Sequence, residues 1–368
     1  MSIELGISKF KNIGHVTCYM NSILAVIQQS NILCDYILTG SFRDFLLHNL
    51  SKKEDENESN FENTVIYQLH KLFTVSMSMN NGVVTPTSLR KVASLKDFSF
   101  RWASHQQQDS AEFLLFILEK ITEEIGQKSI FIPGKFNPKL NLSIEESIRS
   151  IISSFENEQF VRNEFSPLIN IFSGLCQRTT ECSICKNKNS NFEPFRIFEL
   201  EIPVMSKESE NKVTLDNCLE KWSENEKLDD DSRYKCSFCG IKSNAIRKQE
   251  IMKTPKILII HIKRFKKDIY GNFLSKNETK INYPVNDFDI QKYICKSSTD
   301  IHKSKYNLYA ANCHYGPSIH AGHYISIVKN RFNNNWYCFN DSEHPLKIYT
   351  KDEIISQKAF ILFYIRTN

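Results

Sequence analysis

With 368 residues, 41% of them hydrophobic and 24% charged, the chain has ordinary globular composition and enough length for one large core or two modest ones. Its net charge of +5 is spread along the sequence, and the basic run Lys263-Arg264-Phe265-Lys266-Lys267 abuts the apolar run Ile257 to Ile260, so it reads as a strand end and not as a nucleic-acid patch. The first six residues lack the basic start and apolar stretch of a signal peptide, and Phe113 to Leu118 and Ala359 to Ile365 are too short to span a bilayer. The expectation is a soluble, intracellular protein, cytoplasmic or nuclear, with no membrane partner.

Taken in chain order, the first predicted element is a helix opening at Thr17-Cys18-Tyr19-Met20-Asn21-Ser22, with Thr17 as its cap and Ile23, Leu24, Val26 and Ile27 as its apolar residues. A thiol at that position faces unpaired amides and the positive end of the helix dipole, which favours the thiolate. Polar stretches at Ser51 to Asn60, Ser206 to Lys212, Ser223 to Ser232 and Asn333 to Asn335 read as surface insertions. From Asp109, apolar residues at Phe113, Leu114, Ile117, Leu118, Ile121 and Ile125 form a one-sided helical stripe, with Asp109 and Glu112 in its first turn. The second half reads as strands: Phe195 to Ile202 alternates, Ile257 to Ile262 is a buried run, and Tyr324 to Val328 and Phe360 to Ile365 are β-branched or aromatic. A helical half, a sheet half and a strand-rich insert at roughly 168–255 predict an α+β protein and not a doubly wound parallel sheet.

The eleven cysteines include two CxxC pairs, Cys182-Ser183-Ile184-Cys185 and Cys236-Ser237-Phe238-Cys239-Gly240. Each forms a tight knuckle whose thiolates can share an ion, and two knuckles together complete a tetrahedral zinc site of the structural kind, with no open position for catalysis. A redox pair is the competing reading, but there are two pairs and neither lies on a thioredoxin-like βαβ pattern. A zinc-ribbon nucleic-acid binder would need basic residues interleaved with aromatics there; Glu181, Glu193, Glu199 and Glu201 stand nearby instead.

A cysteine nucleophile needs a base that holds its proton, and the base needs a group that orients its ring. His323, in Gly322-His323-Tyr324, and Asn340, in Trp336-Tyr337-Cys338-Phe339-Asn340-Asp341, have the residue types for those roles with Cys18. Taken singly, they equally fit a buried cysteine at a helix start and polar residues at strand ends. His261, His314, His320 and His344 lack the Gly-His-Tyr setting and are not the expected base.

In this order the motifs resemble those of the ubiquitin-specific proteases, the papain-like cysteine deubiquitinases. Asn12-Ile13-Gly14 with Thr17 to Ser22 is similar to the family's nucleophile box, and Gln107-Gln108-Asp109-Ser110-Ala111-Glu112-Phe113-Leu114 to its QQD box. Phe172-Ser173-Gly174, Glu193-Pro194-Phe195, the strand Pro255 to Phe265, His314-Tyr315-Gly316, Gly322-His323-Tyr324, Trp336 to Ser342 and Ala359 to Arg366 complete the set, which covers nearly the whole of this sequence, so that little more than a catalytic domain is expected. The resemblance implies a papain-like right-hand architecture within one catalytic domain of about 6–367: a helical thumb over 1–167, zinc-bearing fingers over 168–255 and a palm sheet over 256–368. It implies Cys18 as nucleophile, His323 as base and then acid, Asn340 as the orienting group with Asp341 adding to its field, and Asn12 as oxyanion donor. Gln108, Asp109 and Glu112 are then expected on the substrate's arginine-bearing tail, and Cys182, Cys185, Cys236 and Cys239 on one structural zinc ion. The implied partners of this expected monomer are ubiquitin and ubiquitinated proteins, with no nucleic acid. The same fold also suits another modifier ending in Gly-Gly, or a ubiquitin-binding scaffold of low activity. One departure is the box itself: the family's N-x-G-x-T-C is here Asn12-Ile13-Gly14-His15-Val16-Thr17-Cys18, one residue longer. Either a bulge at Gly14 extrudes His15 or Val16, or Asn12 is displaced from the oxyanion hole.

Overall fold

The apolar runs at 257–260 and 359–364 are strands covered on both faces. The computed structural model describes residues 5–51, 60–79, 81–127, 166, 168–204, 213–268, 273–319, 321–356 and 358–367. The insertions expected at 51–60 and 206–212 therefore lie almost wholly outside the described residues, and so does His320.

The N-terminal half supplies helices α1 (Cys18–Gln29), α2 (Asn31–Leu38), α3 (Arg43–Leu50), α4 (Val65–Ser78), α5 (Thr87–Lys96) and α6 (Ser110–Ile125), with short strands β1 (Lys9–Phe10) and β2 (Val83–Val84) paired in parallel. All of α1 is buried, as befits a central helix surrounded by other elements. Behind it, Trp102 packs on Tyr19, Phe113 and Phe116. Among the described residues, no helix is long and apolar enough to cross a membrane.

After α7 (Ile169–Phe172), strands β3 (Gly174–Cys182), β4 (Lys188–Phe195), β6 (Glu226–Leu228) and β9 (Ala245–Lys253) form a separate four-stranded sheet in the order β4-β3-β9-β6. Two segments inside the 168–255 insert do not belong to it. Strand β5 (Phe198–Glu201) pairs in parallel with β10 (Ile257–Lys263) of the large sheet, and helix α8 (Leu215–Ser223) packs on that sheet's far face. The large sheet also contains β13 (Phe288–Asp289), β14 (Lys305–Ser318), β15 (Ala321–Lys329), β16 (Trp336–Phe339), β17 (Leu346–Ile348) and β18 (Ala359–Arg366), in the order β17-β16-β15-β14-β18-β10-β5 with β13 beside β14. Along β10, Ile257 and Ile259 face the helical half while Leu258, Ile260 and Ile262 face the opposite core. Small hairpins β7 (Tyr234–Lys235) with β8 (Lys242–Ser243), and β11 (Phe265–Lys267) with β12 (Phe273–Lys276), complete the strands.

Helix α1 lies on β15, and the contact has a polar seam. Ser326 Oγ donates to Ser22 O at 2.9 Å, Asn312 Nδ2 donates to Ser326 Oγ at 3.2 Å, and Ser110 Oγ donates to Asn312 Oδ1 at 2.8 Å. These side chains are buried and bonded to one another, so the seam fixes α6 and α1 against β14 and β15 without leaving orphaned polar atoms there.

Helix α4 is capped from outside its own sequence. Glu124 accepts from Val65 N at 2.7 Å and Ile66 N at 2.9 Å, while burial raises its carboxyl to about 7. Its folded pKa lies above its unfolded one, so the folded chain binds the extra proton. The residue's favourable contribution is full below the ordinary carboxylate range and lost as pH rises toward about 7. Unfolding curves measured across that window should show stability falling with pH in the parent chain, and Glu124→Gln, which keeps an acceptor but cannot ionise, should flatten the fall.

Candidate functional site

Cys18 opens α1 and is fully buried. The expected cap does not form. Thr17 has no side-chain bond to the helix; its Oγ1 accepts from Ile13 N at 2.8 Å and lies 3.2 Å from Asn12 Oδ1. The hydroxyl is used to close the preceding turn, and among the described residues no side-chain cap bond reaches the first amides of α1.

That turn absorbs the additional residue of the nucleophile box. Ile13–His15 is a single 3-10 turn in which Gly14 and His15 both adopt left-handed torsions, φ +63° and +60°. Glycine takes this conformation without penalty, and exposed His15 is the residue pushed outward. Asn12 consequently stays against the nucleophile loop: Thr17 N donates to its Oδ1 at 2.8 Å, and its Nδ2 donates to Asp341 Oδ2 at 2.8 Å.

His323 stands near the start of β15, and Asn340 directly follows β16. His323 Nε2 is 2.6 Å from Asn340 Oδ1. An amide oxygen only accepts, so Nε2 carries a hydrogen, and in the neutral ring Nδ1 has the lone pair. The histidine is pushed up to about 9, first by its hydrogen bond to the Cys18 side chain, then through Asn340 and the nearby charges of Cys18 and Asp341, against the opposing effect of burial. Asp341 Oδ2 is 4.0 Å from His323 Nε2, close enough for its field but too far for a hydrogen bond.

Several contributors were not singled out in the sequence. Asn21, one turn into α1, donates to Asp341 Oδ1 at 2.7 Å and to Phe10 O at 3.1 Å. Gln107 Oε1 accepts from Gly322 N at 2.9 Å and so holds the residue before His323. Both lie in motifs already recognised, yet nothing in spacing reveals which member of the Gln pair reaches the histidine strand. Gln108 instead donates to Ser104 Oγ at 3.0 Å. Gly322 is fixed by space: a Cβ there would lie 2.3 Å from His314 Nε2 and 2.4 Å from Tyr315 O. His314 is a core residue, packed on Phe265 and Tyr324, and burial lowers it to about 4.

Asp109 and Glu112 separate in role. Asp109 is a buried N-cap of α6, accepting from Ala111 N at 2.6 Å, and burial raises its carboxyl. Glu112 is exposed and paired with Arg101 at 2.8 Å. Both border a cleft of about 930 Å³ between α6 and strands β5 and β10, with Glu199, Glu201, His261 and Lys263 on its other side.

The four CxxC cysteines converge at the far end of the four-stranded sheet. Cys182 Sγ is 4.0 Å from Cys239 Sγ, Cys185 Sγ is 3.7 Å from Cys236 Sγ, and all four sulfurs lie within 4.8 Å of one another. A tetrahedral ion with ~2.3 Å bonds to sulfur requires sulfurs about 3.8 Å apart, so the cluster can hold one metal ion. The knuckles have matching geometry. Lys186 N bonds Cys182 O at 3.1 Å and Gly240 N bonds Cys236 O at 2.9 Å, with Lys186 and Gly240 left-handed at φ +58° and +71°.

Residues 8–364 match the family described as ubiquitin carboxyl-terminal hydrolase. The chain belongs to that family. It is 28% identical over 362 residues to human ubiquitin carboxyl-terminal hydrolase 2, covering 98% of this chain and 55% of the relative. It is 27% identical over 379 residues to ubiquitin carboxyl-terminal hydrolase 4 of Saccharomyces cerevisiae strain YJM789, covering 97% of this chain and 39% of that protein. It thus spans about half the length, or less, of these curated relatives. Among solved structures it superposes on the SAGA Ubp8/Sgf11/Sus1/Sgf73 DUB module bound to ubiquitin aldehyde, with a TM-score of 0.70 at 22% identity, covering 100% of this chain and 71% of that one. The α+β arrangement is therefore the papain-like ubiquitin-specific protease fold.

The Cys18 hydrogen bond is the first cause of the raised His323 pKa, which sets a test of the pairing that needs no turnover. Ring-labelled NMR should find His323 titrating near 9, and Cys18→Ala should bring it down toward the ordinary histidine range. An unchanged titration in that variant would separate the two side chains.

Proposed function

We propose that this chain is a deubiquitinase, a cysteine-type ubiquitinyl hydrolase that cleaves the isopeptide or peptide bond after the C-terminal glycine of ubiquitin. The observation carrying the reading is the pairing of His323 with Asn340, Nε2 2.6 Å from Oδ1, with Cys18 the first cause of the histidine's raised pKa. The family's printed description and the ubiquitin aldehyde on the superposed module support this choice of substrate over another Gly-Gly modifier.

Cys18 gives its proton to His323 Nδ1, and the thiolate attacks the glycine carbonyl carbon. Charge developing on the carbonyl oxygen meets the uncapped first amides of α1 and the second amide hydrogen of Asn12. The imidazolium then protonates the departing amine, leaving a thioester. His323 next takes a proton from water, whose oxygen attacks the thioester carbonyl, and returns it to the leaving sulfur. Asn340 keeps the hydrogen on Nε2 throughout, and Asp341 adds negative charge beside the imidazolium.

In this reading the α1–α6 region is the thumb, the large sheet the palm and the four-stranded sheet the fingers. The cleft at Glu112, Glu199 and Glu201 receives the arginine-bearing tail. A monomer suffices, because nucleophile, base and orienting group come from one chain. The eleven free thiols suit a reducing cytoplasm or nucleus.

Purified protein mixed with a ubiquitin C-terminal fluorogenic amide decides the proposal. Cys18→Ala and His323→Ala should each abolish release of the fluorophore, with ubiquitin still bound by Cys18→Ala. Hydrolysis surviving in Cys18→Ala, or absent from the parent chain, would sink it.

The cysteine cluster is assigned to one structural zinc ion, supported by sulfur spacing that suits tetrahedral coordination. Elemental analysis should find about one zinc per chain, and chelation should speed hydrogen exchange over 174–253 before it affects the large sheet. Metal-free protein with the same exchange pattern and ubiquitin affinity would remove the assignment.

A further inference from the structure

Residues 340–343 close a turn in which Glu343 N donates to Asn340 O at 2.9 Å and Asp341 is left-handed at φ +47°. The turn folds the Glu343 side chain back onto Asn340, whose Nδ2 donates to Glu343 Oε2 at 2.6 Å. A carboxylate can only accept, so it takes the NH2 end of the amide and leaves Oδ1 to face His323 Nε2 at 2.6 Å.

The selection matters because the two ends of an amide have nearly the same shape and opposite chemistry. With Asn340 rotated by half a turn, its NH2 would face His323, demand an acceptor at Nε2 and move the ring hydrogen to Nδ1. The lone pair that receives the Cys18 proton would be lost, and the imidazolium would meet a donor. An aspartate at this position would present an acceptor in either orientation.

We propose that Glu343 is a positioning residue that selects the amide orientation of Asn340 and thereby lets an asparagine orient the catalytic histidine. It acts through Asn340 and touches neither substrate nor sulfur. The inference rests on the deubiquitinase reading above.

The test is a set of variants assayed for kcat and KM on the ubiquitin C-terminal amide. Glu343→Ala should lower kcat about fivefold to tenfold with KM unchanged, because an exposed charge-assisted hydrogen bond is lost from the orientation step alone. Glu343→Gln should recover most of the rate, since its Oε1 accepts the same N–H. In an Asn340→Asp background, Glu343→Ala should cause no loss, because no amide remains to be oriented and a carboxylate repulsion is relieved. Glu343→Ala within about twofold of the parent chain, or an equal loss in both backgrounds, overturns the inference. Should Asn340→Asp have no turnover, equal losses in Glu343→Ala and Glu343→Gln overturn it. A parent chain without hydrolysis defeats the deubiquitinase reading instead. Glu343 is then judged by NMR titration of His323, which Glu343→Ala should lower while Cys18, Asp341 and His314 still face the ring; an unmoved titration overturns the role.

Discussion

The Asp341 carboxylate receives the side-chain amides of Asn12 at 2.8 Å and Asn21 at 2.7 Å, and the geometry of the site depends on that bridge. Asn12 precedes α1, Asn21 lies within it, and Asp341 adjoins Asn340 at the end of β16. The two ends of the bridge are 329 and 320 residues apart in sequence. Bridging them registers the sulfur-bearing helix against the histidine and its orienting amide. Asp341 holds a left-handed torsion that costs roughly 1 kcal/mol or more, and two donors on one carboxylate are what keep it there.

Beneath this bridge the helical half and the sheet are held by a small number of satisfied buried polar groups. The Ser110–Asn312–Ser326–Ser22 seam gives α1 a fixed translation along β15, which apolar side chains alone would specify less sharply. Gln107 extends the same logic to the hairpin, tying Gly322 to the segment that enters α6. The placement of Cys18 and His323 is thus set by hydrogen bonds on rigid elements, with the apolar core supplying the bulk of the driving force.

Much of this was legible in the sequence because it depends on periodicity and on local residue type. The run Ile257 to Ile262 had to be a strand covered on both faces, and the stripe from Phe113 to Ile125 had to be a helix. The CxxC spacing likewise reports a local knuckle. What spacing could not supply is partnership across the chain. Thr17 looked like a cap, but its hydroxyl found Ile13 N and Asn12 closer to hand. Asp109 and Glu112 both read as first-turn acids, with Glu112 the stronger candidate for that role alone; burial instead made Asp109 the cap and left Glu112 beside Arg101. β5 and α8 fell inside a stretch read as one insert because strand alternation carries no information about which sheet a strand joins.

The position of β18 has a consequence for biogenesis. Residues 359–366 lie in the middle of the large sheet, between β14 and β10, although they follow all the other described strands in sequence. A ribosome-bound chain lacking them has a slot where that strand belongs, with the edges of β14 and β10 unpaired and both cores open. Such a nascent chain cannot yet set His323 against Cys18, and it displays strand edges of the kind that chaperones shield. Insertion of β18 between β14 and β10 is therefore a condition for the pairing of Cys18 with His323, and a chain stopped before residue 359 does not reach it.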